Sequence, residues 1–167
     1  MTVAFANRQR TKKINLRLLK QIVEALLADS KITKVELEIN LVAAPAITRL
    51  NGNFLHHKGP TDVIAFDYGN KTDPGGQRFV AAREYGAQTK ECPPKIFGEI
   101  FICVDEAVLQ AQKFGVSWQS EVVRYVVHGV LHLLGHDDLH VGARRKMKRE
   151  ENRLLRKLSH RFALSKL

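Results

Sequence analysis

The sequence is poor in cysteine and has no long apolar run. Its two cysteines, Cys92 and Cys103, stand at no metal-binding spacing and form no framework of bridges, which excludes a small disulfide-stapled scaffold and suits a reducing compartment. No uninterrupted apolar stretch approaches the roughly 18 residues that a bilayer-spanning helix needs, and no apolar segment follows the first charges as it would in a secretory signal. The expectation is a cytoplasmic protein with no membrane partner. Internal repeats and low-complexity tracts are missing too, so a repeat architecture is set aside.

Acidic charge is also scarce. Against 17 Asp and Glu stand 27 Lys and Arg, a formal net charge of +10, which favours a polyanionic partner such as nucleic acid. The excess is clustered: Arg8, Arg10, Lys12 and Lys13 lie near the start. Arg144, Arg145, Lys146, Lys148, Arg149, Arg153, Arg156, Lys157 and Arg161 crowd a final helix expected near 141–163. A chain of 167 residues that is 44% hydrophobic suffices for one well-packed domain spanning 1–167 and is short for two.

The periodicities imply alternating elements. Apolar residues at Leu16, Leu18, Leu19, Ile22, Val23, Leu26 and Leu27 predict an amphipathic helix over 14–28. Residues 35–42 alternate as a strand with one buried face, and 45–55 reads as a helix with Pro45 in its first turn. Apolar runs at 61–66 and 98–104 predict two central strands. A loop insertion near 70–95 separates them, and Asp105, capping its own helix, follows. The fold class expected is α+β, a small mixed sheet covered by helices.

The chemistry concentrates at His128-Gly-Val-Leu-His132-Leu-Leu-Gly135-His136-Asp137-Asp138. Histidines four residues apart on a helix share one face, so two imidazoles converge on one ion. The helix around them is apolar almost all round, and two buried imidazoles without partners would cost roughly 1–3 kcal/mol each. A shared metal satisfies both. Gly129 weakens the helix by about 1 kcal/mol relative to alanine, which predicts a close approach to the backbone there. Gly135 tolerates the left-handed conformation that turns the chain back, bringing His136, Asp138 or His140 to a third coordination position. Three protein ligands leave a fourth position for a metal-bound water.

Three segments, LNGNFLHHKGPTDVIAFDYG, FGEIFICVDEA and HGVLHLLGHDD, make nearly the whole chain resemble the YbeY family of bacterial rRNA maturation factors and single-strand endoribonucleases. The resemblance implies a zincin-like arrangement, one Zn2+ ion, and cleavage in small-subunit rRNA 3′-end maturation and ribosome quality control. It also implies RNA within ribosomal particles as partner, with ribosome-assembly proteins beside it. The family pattern His-Gly-x-Leu-His-Leu-x-Gly-Tyr-Asp-His carries the metal ligands onto His128, His132 and, in place of a third histidine, Asp138. Leu55 stands where the family commonly has a basic residue, so neutralising the scissile phosphate would pass to His56, His57, Lys58 or a residue from elsewhere, or be lost. His57 is the catalytic candidate among them, beside the metal-bound water. Asn51, Thr61 and Asp62 also match the family, although such residues commonly cap turns and strands. Arg144, Arg145 and Lys148 are the candidate RNA contacts.

Two rivals are distinguishable. A zinc peptidase needs Glu as general base after the first histidine, where this chain has Gly129. A non-catalytic ribosome-assembly or RNA-binding factor would close the metal site with a fourth ligand from His136 or His140.

Overall fold

The computed structural model describes residues 1–30, 32, 34–55, 58–69, 78–79 and 95–167. The chain opens with β1 (Thr2–Asn7), α1 (Leu16–Asp29) and β2 (Lys34–Val42), which form a β-α-β unit with its strands adjacent and parallel. Asn15 starts α1 two residues later than the apolar pattern predicts, because its side chain accepts a hydrogen bond from the Leu18 amide at 3.1 Å. Helix α2 (Ala44–Leu50) follows, then a wide π-helical turn at Asn51–Leu55, so the helix expected over 45–55 is two kinds of helix in series.

Next come β3 (Val63–Asp67), the two-residue β4 (Arg78–Phe79), β5 (Lys95–Cys103), α3 (Val104–Phe114), α4 (Trp118–Leu133) and α5 (Val141–Arg161). The five strands are ordered β1-β2-β5-β3-β4, with β1, β2 and β5 parallel and β3 antiparallel to β5. The architecture is thus the mixed sheet with helices that the sequence implied. Of the two strands expected to be central, β5 is; β3 has only the short β4 beyond it. Most of the insertion expected near 70–95 lies outside the described residues.

The sheet buries one face and only part of the other. Val35, Leu37, Ile39, Leu41, Ile96, Ile100 and Ile102 point to one side, into a core filled by α1, α3, α4 and α5. Residues of opposite parity, Val42, Ile64, Phe66 and Cys103, form a smaller core with Ile47 of α2 on the other side. This is why β2 does not keep the alternation of a half-exposed strand to its end: its last four residues are all buried.

Asp105 does not cap its own helix. Helix α3 begins at Val104 without a side-chain cap, and the Asp105 carboxylate instead accepts from the Ala44 amide at 2.6 Å and from the Thr11 hydroxyl. It therefore caps α2 and ties the N-terminal segment to both helices.

Candidate metal centre

Helix α4 positions the site. Ser117 caps its N-terminus by accepting from the Ser120 amide at 3.2 Å, and eleven of its residues are buried. At Gly129 an added Cβ would meet Ile100 of β5 at 2.8 Å, so the close approach expected at this glycine is the helix lying directly on the sheet. The contact leaves no room for a glutamate. The general base of a zinc peptidase has no place here.

The C-terminus of α4 is built to return the chain. Gly135 adopts φ 90°, its amide donates to the His132 carbonyl at 2.9 Å and the His136 amide to the Leu131 carbonyl at 3.0 Å. This pair of bonds is the Schellman closure, and it sets the His136 carbonyl over the last turn. There it accepts from His132 Nδ1 at 3.1 Å. Asp137 is used in the next turn, its carboxylate accepting from the Leu139 amide at 2.6 Å, and Asp138 faces the histidines.

His128, His132 and Asp138 each offer a ligand atom, all within 4.8 Å of one another. The two imidazoles stand nearly perpendicular, at 84°, with their Nε2 atoms 3.0 Å apart. His128 Nδ1 lies 3.2 Å from the Glu151 carboxylate, as His132 Nδ1 lies against a carbonyl. Both Nδ1 atoms face acceptors, so in two neutral imidazoles the protons sit there and the Nε2 lone pairs point at each other. Such a pair is repulsive unless a cation lies between them, and a carboxylate beside it completes a donor set suited to a divalent metal. The residues present fit a metal. Burial, and then the neighbouring His128, push the His132 imidazole below its ordinary pKa, so it stays neutral and ready to bind.

Sequence reasoning missed Glu151 and Arg124. Glu151 is only 4% exposed, and it accepts from Arg124 Nη1 at 2.6 Å and Lys148 Nζ at 2.7 Å besides facing His128. Burial alone pushes its carboxyl up, but hydrogen bonds from His128, Lys148 and Arg124 outweigh it and hold the group at about 2. The signal was available: Met147, Leu154, Leu155 and Leu158 mark the buried face of α5, and Glu151 falls in that stripe.

The other expected residues are placed as follows. His140 precedes α5 and is exposed. His136 contributes its carbonyl to His132. Among the described residues neither joins the cluster of three. Arg144 donates to the Asp138 carbonyl at 3.0 Å, so with Lys148 two of the three expected RNA contacts have bonds inside the protein, while Arg145 is exposed. Asn51 donates to the Gly59 carbonyl at 2.9 Å, and Asp62 accepts from the Val63 amide at 2.9 Å and from Thr61, which are turn- and strand-capping contacts. Lys58 is exposed, and His56 and His57 lie outside the described residues, as does Cys92.

The sequence profile of the family described as Endoribonuclease YbeY matches residues 4–159. A protein named Endoribonuclease YbeY from Geobacter metallireducens is 32% identical over 137 residues, covering 82% of this chain and 81% of that protein. Its namesake from Aquifex aeolicus is 32% identical over 151 residues, covering 90% of this chain and 88% of that one. The solution structure of a Thermotoga maritima protein matches the fold with a TM-score of 0.58 at 20% identity, over 94% of this chain and 89% of that one.

Proposed function

The chain belongs to the YbeY endoribonuclease family, and from that premise we propose that it cleaves single-stranded RNA with one zinc ion held by His128, His132 and Asp138. Its substrate is ribosomal RNA, at the 3′ end of the small-subunit species, within ribosomal particles in the cytoplasm, where it serves ribosome biogenesis and quality control. The observation that carries the reading is the pair of facing Nε2 atoms beside Asp138, each imidazole tied back through its other nitrogen.

Zinc held there would supply a Lewis acid and would make a coordinated water acidic enough to ionise near neutral pH. The chain does the rest. His132 is fixed by the main chain after the Gly135 turn and His128 by a side chain of α5, so both ligands are oriented before metal arrives. The basic face of α5, with Arg145 and beside it Arg144 and Lys148, follows the phosphates, and His57 is the candidate for neutralising the scissile phosphate. Among the described residues no helix is long and apolar enough to cross a membrane.

Purified protein with zinc, incubated with small ribosomal subunits carrying 3′-extended RNA and with matched single-stranded and duplex RNAs, tests the proposal. Removal of the extension and cleavage of the single strand, both lost in a His128→Ala, His132→Ala double variant, are expected. Binding without cleavage would make the protein a non-catalytic assembly factor and overturn the reading.

A further inference from the structure

We propose that Glu151 is the positioning residue of the metal centre, setting the tautomer and direction of His128. The inference rests on the metal reading above and deepens it. The two carboxylate oxygens of Glu151 have separate tasks. Oε1 takes both cations, Arg124 Nη1 at 2.6 Å and Lys148 Nζ at 2.7 Å, which leaves Oε2 to His128 Nδ1 at 3.2 Å. A buried carboxylate costs several kcal/mol unless paired, and three donors around one acid on a helix face otherwise lined by Met147, Leu154, Leu155 and Leu158 offset that cost.

The consequence for His128 is chemical. A carboxylate at Nδ1 holds the proton there, leaves Nε2 as a lone pair, and makes that nitrogen a stronger donor to a metal. His132 receives the same service from the His136 carbonyl, which no side-chain substitution removes. The two histidines share one helix but are oriented by different parts of the fold, one by the Gly135 turn and the other by α5. Helix α5 also holds Asp138, through the bond from Arg144 to the Asp138 carbonyl, so two of the three ligand residues depend on it.

A merely structural role would make Glu151 a clip between α4 and α5 through Arg124. Two measurements separate the roles. The first needs no variant: nitrogen-15 imidazole shifts of the metal-free full-length protein, near pH 8, should report His128 protonated at Nδ1. Protonation at Nε2 overturns the proposal and leaves the metal ligands standing. The second is competitive zinc titration. Glu151→Gln should weaken zinc binding by roughly 10–100-fold, the usual cost of losing an outer-sphere partner, whereas Arg124→Gln, which breaks the clip but leaves the Glu151–His128 contact, should lower the unfolding temperature and change affinity much less. Equal loss of affinity in both variants, or none in Glu151→Gln, overturns it. Should the wild-type protein bind no zinc through His128 at all, the metal reading fails instead.

Discussion

At the scale of single residues the site depends on what is small and what is charged. Gly129 lets α4 lie on Ile100, and alanine there would gain about 1 kcal/mol of helix propensity while forcing a Cβ to 2.8 Å from a fully buried side chain. Overpacking of that kind costs roughly 1–3 kcal/mol, so Gly129→Ala should lower stability by about 1 kcal/mol, read as a fall of roughly 2–4 °C in unfolding temperature. A rise would mean that the helix does not touch the sheet there. Asp138→Ala should weaken zinc binding by well over the roughly 10–100-fold that an outer-sphere partner is worth, while Asp138→His, restoring a nitrogen ligand, should keep the metal. Zinc titration of both variants decides it. Glu151 gives a pH prediction: its folded pKa of about 2 lies below the 4.5 of a free glutamate. Its stabilisation is therefore present above about 4.5 and lost as pH falls towards 2, on the order of a few kcal/mol. Acid unfolding of Glu151→Gln should show a smaller drop than wild type across that window.

At the scale of elements, the histidine helix was legible in the sequence and its supports were not. Spacing placed His128 and His132 on one face, and Gly135 marked a turn that could bring back His136, Asp138 or His140, of which the family resemblance singled out Asp138. The partners at Nδ1 come from α5 and from a carbonyl, neither of which a local pattern reveals. Asp105 looked like a local cap because helix-starting aspartates usually are, yet a non-local amide, Ala44, was the better use of it. Helix α5 looked like a uniformly basic ligand for phosphate. Its structure divides it: Arg144 and Lys148 are bonded to the site, while Arg145, Lys146 and Arg149 are exposed with no ion pair among the described residues. Replacing these last three by glutamine should flatten the slope of log affinity against log salt on single-stranded RNA by about 2, at about 0.7 per phosphate contact. An unchanged slope would make that face a solvated one.

At the scale of the molecule, charge and metal act through the whole fold. The +10 net charge is unevenly spread, with Glu36, Glu38 and Glu99 grouped on adjacent strands of the sheet and the basic residues along α5. The class of fold followed from alternating periodicities. Strand order did not, because β2 pairs with β5 across more than fifty residues of chain, a pairing that local pattern leaves open. The claim on which the rest depends is that His128, His132 and Asp138 hold one zinc ion that makes this chain a ribonuclease. Titrating zinc into the metal-free protein while following cleavage of a single-stranded RNA tests it most directly. Cleavage should rise to a plateau at one equivalent per chain and stay at background in the His128→Ala, His132→Ala double variant. Full cleavage by the metal-free protein, or an undiminished plateau in the double variant, would contradict it.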